Sequence, residues 1–147
     1  TRERPMTVRI AAAFLALALP AAAQDAVVTP YDGSFEDAAF SVESAILDRG
    51  LVIDYVSHTG EMLARTAADV GSDVELFAAA DIYLFCSATL SREVMEADPA
   101  NIAHCPYGIF VADRAGEVTI GYRTYPEGPM QAVQSLLAEI VADAVAQ

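Results

Sequence analysis

Residues 107–123 read YGIFVADRAGEVTIGYR, and this stretch decides the fold. Tyr107–Ala112 is a β-prone, largely apolar run. Arg114-Ala115-Gly116 forms the tip of a hairpin. The chain returns as Glu117–Arg123, with Val118, Ile120 and Tyr122 on one face and Glu117, Thr119 and Arg123 on the other. Alternation with period two beside a tight reversal specifies antiparallel strands that turn one face to a core.

Upstream of the hairpin, Ile82–Cys86 reads as a buried strand. Ser87–Asp98 reads as a short helix closed by Asp98-Pro99, and Asn101–Pro106 as a loop. Residues 72–80 fit either a helix or irregular structure. Thr59 can cap a helix running to Asp69, which Gly71 stops. Leu51–Val56 alternates as a strand, with Leu51, Ile53 and Tyr55 on one face. Before it, Ser34 with Asp37 three residues on is a short-armed capping box. Phe35, Ala39, Val42 and Ile46 then mark one helical face, and Gly50 ends the helix. Ala26–Thr29 is a candidate first strand. Downstream, Tyr125–Gly128 is a loop and Pro129 a first helical residue. The last helix presents Val133, Leu136, Leu137, Ile140 and Ala144. The sum is an α+β domain: a largely antiparallel sheet of about five strands, with two main helices packed on one face.

The chain has 147 residues, a formal net charge of −13, eight Arg and no Lys. That acidity excludes a general nucleic-acid binder, which needs a basic face to displace counterions from phosphates. It also disfavours docking on anionic lipid. Two Cys allow neither a disulfide-dense scaffold nor a four-thiolate zinc site.

The first residues carry an address. Arg2, Arg4 and Arg9 precede an apolar run, Ile10–Leu19, followed by Pro20 and Ala21-Ala22-Ala23. A basic head, a short apolar stretch and small residues at −3 and −1 are a secretory signal peptide over residues 1–23. Ten apolar residues (Ile10–Leu19) are half of the roughly 20 a membrane span needs. Met6 is the natural start, with residues 1–5 as read-through or added residues. Cleavage before Gln24 removes three Arg and one Glu, taking the net charge from −13 to −15. The expected product is one soluble domain, residues 24–147, free of the membrane and periplasmic.

Phe85-Cys86-Ser87, Asp98-Pro99 and Cys105-Pro106-Tyr107 with its Ile-Phe-Val strand occur in the order found in a known family. So do Phe35–Gly50 with Leu51-Val52-Ile53, and Gly121-Tyr122-Arg123 before a final helix. The chain resembles the secreted branch of the domain of unknown function 302 (DUF302) over about Val27–Val145. The resemblance implies a TBP-like β-α-β4-α arrangement with a curved sheet, and is compatible with a homodimer. It implies no catalytic residues, because the family has no established activity.

Few residues could carry chemistry. Cys86 ends one expected strand and Cys105 precedes the next, so the thiols fall opposite each other if those strands pair. In an oxidising compartment the reading is a bridge closing a loop with 18 residues between the cysteines. The alternative keeps them reduced, with His58 or His104, as soft ligands for copper or haem. C-x-x-C and C-x-x-C-H are both absent. Met62 and Met95 read as core filler. Arg123, followed by Tyr125 and Pro126, could clamp a carboxylate ligand or pair with a nearby acid. No serine-nucleophile elbow and no glycine-rich phosphate loop occurs. The expectation is therefore a disulfide-stapled periplasmic module that binds a small ligand or protein partner on its sheet, without a cofactor. The alternative is a copper- or haem-handling protein built on Cys86, Cys105 and a His.

Overall fold

The computed structural model describes residues 25–147. The strands are β1 (Ala26–Pro30), β2 (Val52–Ser57), β3 (Ala79–Cys86), β4 (Tyr107–Arg114) and β5 (Glu117–Arg123). The helices are α1 (Phe35–Asp48), α2 (Thr59–Thr66), α3 (Ala88–Ala97) and α4 (Gln131–Val145), with 3-10 turns at Ala68–Val70 and Pro99–His104. At the hairpin Arg114 pairs with Glu117. Ala115 and Gly116 between them both take the left-handed backbone, at φ 56° and 86°, which matches the twist of the flanking strands.

All strand pairs are antiparallel, in the order β1-β5-β4-β3-β2. Thus β1 and β2 occupy opposite edges, and α1 must cross the whole sheet between them. The helix starts on a full capping box: Ser34 Oγ accepts the Asp37 N–H at 3.0 Å and Asp37 accepts the Ser34 N–H. Helix α4 returns over the same face. Phe85, Ile109 and Ile120 from the sheet meet Ile46 of α1 and Leu137 and Ile140 of α4, all fully buried. Each such side chain contributes roughly 1.5–3 kcal/mol by leaving water. Arg49, at the end of α1, donates to Glu139 at 2.9 Å and Asp143 at 2.6 Å, joining the two helices at the surface.

Several details depart from the sequence reading. A bulge in β2 inserts Asp54 between Ile53, opposite Phe85, and Tyr55, opposite Leu84. The extra residue reverses the alternation. Ile53 and Val56 both pack on the core, whereas Tyr55 is 63% exposed rather than sharing the face of Ile53. The buried stripe of α1 is Ala38, Ser41, Val42, Ala45 and Ile46, because the helix meets both the sheet and α4; Phe35 and Ala39 are only half-buried. Strand β3 begins at Ala79, since residues 79–81 pair with residues 111–113, leaving 72–78 irregular. Thr59 does not cap α2; its hydroxyl pairs with that of Ser57 at 3.1 Å, and His58 takes the cap position without a side-chain bond. The expected loop at 101–106 begins instead as a 3-10 turn, nucleated by Asp98, which accepts the Ala100 N–H at 2.9 Å. A separate turn over 128–131 delays α4 to Gln131.

Candidate functional site: the uncovered sheet face

Helices α1 and α4 cover one face of the sheet. Alternation and register define the other. One row crosses all five strands as Val28, Gly121, Phe110, Ile82 and Ser57. The next joins the pair Ala26–Arg123 to Gly108, Leu84 and Tyr55, with Arg123 and Gly108 each one residue beyond the last β4–β5 pair, Ile109–Tyr122. Thr119, Ala112 and Ala80 flank the first row, and Val52 with Cys86 the second. Val28 is 49% exposed and Val52 69%.

These rows contain no Asp or Glu, in a chain with 21 of them. Their single charge is Arg123, which is exposed and has no ion-pair partner among the described residues. Glycines shape the surface around it. A Cβ at Gly121 would stand 2.9 Å from Phe110 Cε1, so the Phe110 ring lies across that glycine. A Cβ at Gly108 would meet Leu84 Cδ2 at 3.3 Å and Ile82 Cγ2 at 3.4 Å. The result is a smooth apolar floor with one guanidinium.

Apart from Asp81 and the hairpin-end Asp113 and Arg114, strands β3 and β4, AADIYLFC and YGIFVADR, are apolar on both faces. Such runs suit strands buried on two sides, whereas a half-solvated antiparallel sheet alternates apolar and polar. That signal for a second covered face is readable in the chain. The cross-strand rows are not, because they need the register.

The other sequence-derived residues scatter. Tyr125 turns inward and is buried, its ring edge-on to His104 at 5.8 Å and Tyr107 at 6.3 Å. Burial pushes its phenol up to about 12, and its hydroxyl has no hydrogen-bond partner among the described residues. It therefore packs the sheet end and does not share the surface of Arg123. Cys86 and Cys105 form a disulfide across the ends of β3 and β4, with Cα atoms 6.9 Å apart.

His58 does not join the cysteines. It follows Ser57, which pairs with Ile82, four residues from Cys86 and about 13 Å along the strand. There its Nδ1 meets Asp81 at 2.8 Å, a contact that raises the imidazole's proton affinity above its ordinary value of 6.5. Asp81 is a partner that sequence reading missed, 23 residues away and visible only through the register. His104 is next to Cys105 but turned against Tyr125. Among the described residues no three His, Cys, Asp or Glu side chains gather as metal ligands. Met95 packs against the core, whereas Met62 is exposed rather than core filler.

A protein-family profile, domain of unknown function DUF302, matches residues 26–147. The chain belongs to the DUF302 family. The crystal structure of an uncharacterized conserved DUF302 protein from Bacillus stearothermophilus superimposes with a TM-score of 0.60. The match has 15% identity and covers 84% of this chain and 95% of that one. At that identity the likeness concerns the fold alone. No curated protein matches the chain. Within this DUF302 domain the uncovered face carries Arg123 at the end of β5, next to the apolar rows.

Proposed function

We propose that the protein is an exported, disulfide-stapled binding module whose uncovered sheet face takes a ligand with an apolar body and one carboxylate. The observation that carries this reading is a pair of sheet rows without Asp or Glu around the exposed Arg123, which has no ion-pair partner among the described residues; Glu117, on the same face, lies beyond these rows at the hairpin. Val28, Ile82, Leu84 and Phe110 supply apolar area. Arg123 supplies a planar fork of donors that matches a carboxylate. In an oxidising compartment the Cys86–Cys105 bridge would hold the β3 and β4 ends of that face in register. A second copy of the chain is the weaker occupant. Its two rows offer no carboxylate, so pairing them row on row would bury two guanidinium groups without an acid between them.

The test is an NMR titration of the 15N-labelled protein with hexanoate, using hexanol as the neutral comparison. Hexanoate should move amides of β1, β3, β4 and β5 and bind about fivefold tighter than hexanol, the upper range for an exposed ion pair. Arg123→Gln should remove that preference. Unmoved sheet amides at millimolar hexanoate, or an unchanged preference in Arg123→Gln, would defeat the proposal.

A further inference from the structure

A second concavity lies away from the sheet rows, between α2 and residues 73–78. Its volume is about 350 Å³, at the lower end of the roughly 300–1,000 Å³ typical of small-molecule pockets. One wall is Leu63, Ala64 and Ala67 of α2, and the other is Val74, Leu76 and Phe77. The alanines leave the space open. At the inner end Gly60 seats the helix against β3, where a Cβ would come within 2.5 Å of the Ala80 nitrogen.

The irregular wall is tied at both ends. The Ser72 N–H donates to the Ala67 carbonyl at 2.9 Å, and the Ala78 N–H donates to the Asp113 carbonyl at 2.9 Å. The segment is thus anchored at both ends, while Val74 and Leu76 between the anchors remain 62% and 50% exposed. Its charged lining residues are Asp73 and Glu75, with no Arg or His among the lining side chains. Neither carboxylate has an ion-pair partner among the described residues.

From these observations we infer that the α2 cleft is a binding site for a small organic cation with an apolar body, such as an alkylammonium. The apolar walls take the body, and Asp73 and Glu75 select the positive head. A neutral molecule of the same shape gains only the walls, and an anion is repelled. This site is opposite in sign to the sheet face and independent of it.

The experiment titrates the 15N-labelled protein with hexylammonium, hexanol and hexanoate. Hexylammonium should move amides at residues 60–67 and 73–78 and bind about fivefold tighter than hexanol, the upper range for an exposed ion pair. Asp73→Asn with Glu75→Gln should bring the two ligands level. Ala64→Leu should fill the cleft and abolish binding of both; if it fails to fold, Ala67→Leu reads out the same loss. The inference is overturned if ammonium and alcohol bind alike to the native protein, if the shifted amides lie elsewhere, or if the filled variant binds undiminished. Hexanoate on the sheet rows reports separately on Arg123, so one site can fail while the other stands.

Discussion

Phe110 and Gly121 pair across β4 and β5, and the phenylalanine ring occupies the volume that any side chain at 121 would need. The Val27 carbonyl closes the same space from β1, 2.5 Å from a Cβ placed there. Gly121→Ala should therefore lower stability by about 1–3 kcal/mol through overpacking. A urea melt would show this as a fall in midpoint. Phe110→Ala in the same background should restore only part of the loss, because the backbone oxygen remains.

The bridge between Cys86 and Cys105 gives a prediction about the purified protein. Exported protein isolated without reductant should be lighter by two hydrogens and blind to alkylation under denaturing conditions. Replacing both cysteines by alanine should cost about 3 kcal/mol, the loop-entropy term for a closure of this length. Two alkylated thiols in the exported protein would remove the staple from the proposed function.

His58 and Asp81 make stability depend on pH in a defined direction. Asp81 raises the imidazole above 6.5, first by hydrogen bonding and then by charge. The folded state thus binds the proton more tightly than the unfolded chain does. The contribution is complete below about pH 6.5, the ordinary value for His, and is lost as pH rises through the higher folded value. Asp81→Asn should flatten that decline, and the His58 ring resonances should titrate at lower pH in the variant.

Tyr125 offers an inverted expectation. Among the described residues its buried hydroxyl has no hydrogen-bond partner, so folding strips solvent from it with no bond from them in return. Tyr125→Phe should keep the packing against His104 and Tyr107 and raise stability by about 1 kcal/mol. Differential scanning calorimetry would register a higher melting temperature. A lower one would mean that the hydroxyl has a bonded partner in solution.

Arg49 holds α1 to α4 through two carboxylates one helical turn apart on α4. The pairs are largely exposed, so Arg49→Gln should cost only about 1 kcal/mol, and less as salt rises. A double-mutant cycle with Asp143→Asn would isolate the coupling.

What could be read from the chain follows from how local each feature is. Alternation in Glu117–Arg123 and the 3.6-residue period of α1 and α4 are local, and they carry the layer architecture. The faces of β2 are not legible in the chain because a bulge at Asp54 has no sequence mark; only the pairing of Ile53 and Tyr55 with consecutive β3 residues reveals it. The His58–Asp81 contact and the acid-free rows likewise arise from strand register. Arg123 was recognisable as a candidate, but its companion Tyr125 was not a surface residue, because the chain turns inward after β5. The alignment of Cys86 with Cys105 was accessible because it needs only that β3 and β4 be neighbours.

The strand order has a consequence for how the molecule assembles. Ala26 pairs with Arg123, so the strand that leads the chain finds its place beside one of the last. During synthesis β1 emerges early and stays without a neighbour until nearly the whole domain has followed. Contacts at such sequence separation slow folding and prolong exposure of unpaired edges. The rest of the sheet is built from sequential neighbours β2 to β5, so the pairing of the first strand with the fifth is the one strand pairing that spans nearly the whole domain.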